Sequence, residues 1–183
     1  MKLSKRKIIF AILSLICMVV IFCYSARNAD LSTQDSNEIG LMIGEITIED
    51  FNQWPEAQQI SYAESIDHPV RKMAHFLEYM TLGMLLFGAI YDKKNKYVSN
   101  VIPPFIIGAV YAATDELHQT IVSGRSGQIT DVLLDSAGVL TGLIIISLII
   151  SLIHHQVSSS DSLSPMEGYD KGSRSSEDKE SLS

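Results

Sequence analysis

An all-α, polytopic membrane protein with a four-transmembrane-helix bundle is the fold class the sequence predicts, on three observations. Long apolar runs recur along the chain, at Ile8–Tyr24, which is uncharged, and at Met73–Tyr91, Ile102–Thr114 and Val132–Ile153. All but the third, which is shorter, are near the roughly 20 apolar residues that a helix needs to cross hydrocarbon. Basic residues gather at Lys2, Lys5, Arg6 and Lys7 and again at Lys93, Lys94 and Lys96, on loops that an even number of crossings puts on one side. Most acids lie elsewhere, in the stretch from Ala26 to Asp67 and in the C-terminal tail, so the formal charge of -7 describes two polar segments and not a soluble domain.

These observations set the boundaries. A membrane domain over 1–153 carries helices at about 8–24, 70–91, 102–120 and 131–153, with an outer loop at 25–69. The segment 154–183 is serine-rich, charged and poor in large apolar side chains, which predicts a disordered cytoplasmic tail. The positive-inside rule places both termini in the cytoplasm and the loops 25–69 and 120–128 outside the cell membrane. The first helix reads as an uncleaved anchor, because Tyr24 and Arg27 stand where a signal-peptide cleavage site wants small residues. Cys17 and Cys23 fall inside that helix without metal-ligand spacing and read as small apolar side chains. No basic stripe interleaved with aromatics is present, which argues against nucleic-acid binding.

The outer loop is acidic, with Asp30, Asp35, Glu38, Glu45, Glu49, Asp50, Glu56, Glu64 and Asp67. Ile39, Met42, Ile43 and Ile46 recur at helical spacing, and Thr47 with Asp50 resembles a capping pair, so short helices on the outer surface are expected. Phe51 and Trp54 suit anchoring at the membrane interface. The second spanning helix is expected to begin after Pro69, and Arg71, His75, Glu78 and Leu82 fall on one of its faces. Pro103 and Pro104 fit the first turn of the third, whose far end carries Tyr111, Asp115 and His118 on one face with Glu116 and Gln119 beside it. Thr130 can cap the fourth helix, along which Asp131, Asp135, Gly138 and Gly142 share a face. Glycines on the face that bears the carboxylates predict a close helix contact there.

Three spans thus bring ionisable groups to the same end. Ionisable side chains in a membrane segment cost several kcal/mol or so each, which makes them a functional-site expectation. The expected polar cluster is His75, Glu78, Tyr79, Asp115, Glu116, His118, Gln119, Asp131 and Asp135, with Lys72, Gly124 and Arg125 as oxyanion or headgroup contacts. Its bland reading is a set of ion pairs locking helices together; the excess of acids over bases argues for more than a lock. No cofactor is predicted. His75, His118, Asp115 and Glu116 are residue types that ligate a divalent metal, but their spacing fixes none.

These residues carry a resemblance. Lys72-Met-Ala-His75-Phe-Leu-Glu78-Tyr79, Tyr111-Ala-Ala-Thr-Asp115-Glu116-Leu-His118-Gln119, Gly124-Arg125 and Asp131-Val-Leu-Leu-Asp135-Ser-Ala-Gly138 resemble, in order, the motifs of the VanZ-like family of bacterial membrane proteins. Phe22-Cys-Tyr-Ser25 looks like that family's opening motif. Arg27 and Asn28 stand where the family often has a glutamine, and Ser123 where it often has a proline. The resemblance implies a cell-envelope role and, through the family's namesake, an effect on susceptibility to teicoplanin. Two functions are expected from it and from the cluster. One is a binder of an amphipathic ligand, whether membrane lipid, lipid-linked cell-wall precursor or lipoglycopeptide, which bears on antibiotic resistance. The other is an intramembrane enzyme acting on a lipid-linked envelope substrate by acid-base or metal-assisted chemistry. Neither turnover nor oligomeric state is legible at this level.

Overall fold

The computed structural model describes residues 4–161. Its order is α1 (Lys5–Ser25), α2 (Ala29–Thr47), a 3-10 turn (Phe51–Gln53), α3 (Glu56–Ile90), α4 (Tyr97–Gln119) and α5 (Ile129–Asp161), with no strand among the described residues. Among the described residues four helices are long and apolar enough to cross a membrane: α1, α3, α4 and α5 over Ile129–Ile153. Their outward side chains, such as Ile9, Ile12, Leu15, Ile106, Val110 and Ile144, are exposed and apolar, as lipid-facing positions require.

The chain divides into two units, residues 1–146 and 147–183. In the first, the interior is built by close backbone approach. A Cβ on Gly142 of α5 would collide with the Met80 carbonyl oxygen of α3, and one on Gly83 of α3 with the Val139 carbonyl oxygen. Without a hydrophobic drive between helices in lipid, such small residues let dispersion act over a long contact. α4 joins through Gly108, which faces the Val139 side chain. α1 lies against α3 and α4, where Phe10 covers Gly88 and the Tyr111 hydroxyl donates to the Met18 carbonyl at 2.6 Å. The two basic clusters meet at one end: Arg6 donates to the Tyr91 carbonyl at 2.6 Å and Lys7 pairs with Asp92 at 3.2 Å.

The segment expected as an outer loop is a helical hairpin. α3 has 35 residues, so at about 1.5 Å per residue it far exceeds a hydrocarbon thickness of about 30 Å. Its N-terminal part pairs with α2, with Gly40 against Ala63 and Ser36 hydrogen-bonded to Asp67. That contact explains why α3 begins at Glu56 and runs through Pro69, where the sequence predicts a start. The loss of one intrahelical bond at proline, about 3 kcal/mol, is outweighed by packing along both sides of it. Asn28 caps α2 by accepting from the Leu31 N–H at 3.0 Å.

Other local expectations change for similar reasons. Thr47 is the last residue of α2 and its hydroxyl bonds back to the Ile43 carbonyl, so it caps nothing downstream; Asp50 takes a left-handed conformation, φ 59°, at the hairpin turn. Phe51 is not an interfacial anchor but the buried centre of the hairpin, against Trp54 and Tyr62 and beneath Gly44. α4 starts at Tyr97, which moves Pro103 and Pro104 past its first turn. α5 starts at Ile129, leaving Thr130 inside the helix. In the second unit α5 does not end at Ile153: residues 154–161, expected as disordered tail, are helical, with no glycine or proline to interrupt them. The rest of the expected tail, 162–183, lies outside the described residues.

Candidate functional site

The C-terminal ends of α1 and α4, the start of α5 and the middle of α3 meet at the end of the first unit away from the basic clusters. Asp115 is their hub. It is 2 % exposed, and its Oδ2 accepts from Ser25 Oγ at 2.7 Å and from Gln119 Nε2 at 3.3 Å. Ser25 is fully buried at the last position of α1. A carboxylate accepts only, so the Gln119 amide must turn its NH2 toward Asp115 and its carbonyl the other way. There the Gln119 Oε1 accepts from Arg125 NH1 at 3.1 Å. The chain Ser25, Asp115, Gln119, Arg125 therefore hands a fixed polarity from α1 to the α4–α5 loop.

That loop is held from both sides. Gly124 has φ 77°, a left-handed conformation that glycine adopts without strain. The Ser123 carbonyl accepts from the Ala29 N–H at 3.3 Å, docking the loop on the start of α2. Glu116 Oε1 accepts from the Gln128 N–H at 2.6 Å, tying the loop back to α4. Arg125 is half-buried, and its Nε is buried without a partner among the described residues. Burial pushes its pKa below the usual arginine range, and the nearby Arg71 guanidinium adds to the effect. It remains charged, since arginine is not deprotonated in proteins, and it makes no ion pair among the described residues.

The loop roofs a cavity of about 270 Å³ whose walls carry His68, Arg71, Lys72 and His75 from α3, Glu116 and Gln119 from α4, and Asp131 and Asp135 from α5. Lys72 pairs with Asp131 at 2.6 Å across the α3–α5 contact, and Arg71 with Asp67 at 2.6 Å along α3. Asp135 is 1 % exposed, and its Oδ1 has no hydrogen-bond partner among the described residues. A buried carboxyl group so placed is the kind of group that a ligand or a proton satisfies.

The structure brings together most of the residues singled out in the sequence. Lys72, His75, Glu116, Gln119, Gly124, Arg125, Asp131 and Asp135 line this cavity, and Glu78 lines a neighbouring one. Asp115 stands behind the wall. His118 and Tyr79 do not face either cavity: His118 stacks 4.7 Å from the Phe22 ring of α1, and Tyr79 is fully buried with its ring 6.0 Å from that of Tyr111. Among the described residues no three His, Cys, Asp or Glu side chains converge as a metal shell would. His68 and Gln128 carry no signal in the sequence that marks them as site residues. Ser25 stood in the motif Phe22-Cys-Tyr-Ser25, but its partner lies on another helix.

The family model for VanZ/LLP1 matches residues 10–150, which contain the second and third spans, most of the first and fourth, the hairpin and every residue of the cavity. The chain belongs to the VanZ/LLP1 family. Comparison with the curated proteins and with the solved structures found no match. The VanZ/LLP1 match ends near the last apolar residues of α5, so the hairpin of α2 and α3 is part of the matched region and not an addition to it.

Proposed function

We propose that this VanZ/LLP1 membrane protein binds an amphipathic or lipid-linked ligand through an anionic group, at the cavity beneath Arg125, and thereby changes the susceptibility of a bacterial envelope to glycopeptide or lipoglycopeptide antibiotics. The observation that carries the reading is Arg125 itself: a half-buried guanidinium on the wall of a cavity, held by the neutral Gln119 carbonyl and facing no carboxylate in an ion pair among the described residues. Guanidinium groups bind phosphate and carboxylate through paired, charge-assisted hydrogen bonds. A cavity of about 270 Å³ suits a headgroup, with the apolar remainder of the ligand left in the membrane. Both basic clusters lie at the opposite end, which supports an orientation with the termini in the cytoplasm and the cavity outside.

The test pairs phenotype with binding. Cells expressing the protein, Arg125→Gln and no protein are compared for teicoplanin susceptibility, and the purified chain in detergent is titrated with inorganic phosphate. The reading expects a susceptibility difference that Arg125→Gln abolishes, with loss of phosphate binding. Equal susceptibility in all three strains would remove it.

A second reading, an intramembrane enzyme on a lipid-linked envelope substrate, is favoured by Asp135. Asp135, with a buried, unpartnered oxygen, lines the same cavity as His75, which puts two groups able to exchange protons at one site. Lipid profiles of expressing cells beside Asp135→Asn separate the two, since only an enzyme alters a lipid or precursor pool.

A further inference from the structure

A second cavity, of about 190 Å³, lies between the end of α1, α2 and α3 and shares Arg71, His75 and Arg125 with the first. Most of its charge is already matched: Arg27 pairs with Asp35 and Arg71 with Asp67. Glu78 is left. It is part-exposed, lines this second cavity and not the first, and makes no ion pair among the described residues. Arg125, on the shared wall, is its opposite: a cation without an ion-pair partner among the described residues. Unmatched charge at the edge of hydrocarbon is costly, and a counter-charge brought by a ligand would stabilise each of these two groups.

We propose that the two cavities form one site for a zwitterionic phosphate ester, with the phosphate on Arg125 and a primary ammonium on Glu78. The proposal rests on the reading that Arg125 takes an anion. An ammonium supplies both three donors and the positive charge that the Glu78 carboxylate lacks, whereas a hydroxyl supplies only a donor. Asp135 is a poorer partner because it offers almost no surface, 1 % exposed, and lines only the first cavity. Phosphoethanolamine carries the two groups on a short linker, either free or as a phospholipid headgroup.

The experiment uses the full chain in detergent micelles, titrated with inorganic phosphate and with free phosphoethanolamine, and the same chain in mixed micelles of phosphatidylethanolamine and phosphatidylglycerol in equal amounts, with retained lipid counted by native mass spectrometry. The expected result is a preference of roughly tenfold for the ammonium-bearing partner, the size of one charge-assisted contact. Glu78→Gln brings that ratio to about one, and Glu78→Asp keeps part of it, which separates loss of charge from misfolding. A preference among the free compounds alone assigns a soluble ligand, and a preference among the lipids alone a headgroup; either supports the zwitterion. Phosphate binding with no preference, or a preference lost in Asp135→Asn but kept in Glu78→Gln, overturns it while the anion reading stands. No binding of phosphate, phosphoethanolamine or either phospholipid overturns both.

Discussion

Ser25 and Asp115, 90 residues apart in the chain, share a hydrogen bond of 2.7 Å at which neither partner is reached by solvent. It joins the end of the first span to the end of the third and fixes the direction of the Gln119 amide. Removing the hydroxyl leaves a buried carboxylate with one donor fewer. Ser25→Ala is expected to lower stability by about 1.5–3 kcal/mol, the usual worth of a hydrogen bond to a charged group, with Gln119 still donating to the same oxygen. Thermal unfolding in detergent measures it, and a variant as stable as the parent would show that the bond carries no weight.

The close approach of α3 and α5 predicts an asymmetric response to size. Gly142→Ala sets a methyl group against the Met80 carbonyl and is expected to cost about 1–3 kcal/mol through overpacking. Leu140→Ala on the exposed side of the same helix is expected to stay within about 0.5 kcal/mol. Melting temperatures of the two variants under identical conditions provide the comparison.

The Lys72–Asp131 pair crosses the same helix contact at 2.6 Å with both side chains about a third exposed or less. Solvent screening discounts it, so a double-mutant cycle of Lys72→Ala and Asp131→Ala is expected to return a coupling of about 1 kcal/mol or below. A coupling several times larger would mean that the cavity wall is far drier than this exposure indicates.

At the opposite end Asp92 accepts from the Lys94 N–H at 3.1 Å and pairs with Lys7, and the backbone bond is the larger cause of a carboxyl pKa held below its usual value. A carboxyl group that is more acidic folded than unfolded contributes stability above its unfolded pKa, about 4, and loses it as the pH falls through its folded value. The melting temperature of the parent chain is therefore expected to exceed that of Asp92→Asn at neutral pH, with the gap closing below about pH 4. A gap that is constant with pH would assign the effect to something other than this ionisation.

What the amino-acid order determined by itself was local and periodic: four apolar spans, the clustering of Arg71, His75 and Glu78 on one face of a helix, and glycines at 138 and 142 on the face that carries Asp131 and Asp135. Helical spacing places side chains on a face because each residue turns the chain by a constant angle. It says nothing about which helix that face meets. Only tertiary structure set His118 against Phe22 while its neighbours Glu116 and Gln119 reached the cavity, gave Asp115 its partner in Ser25, and carried α3 through Pro69 by laying α2 along it. Those outcomes depend on contacts between residues far apart in sequence, whose energies exceed the local preferences that a proline or a helix end expresses.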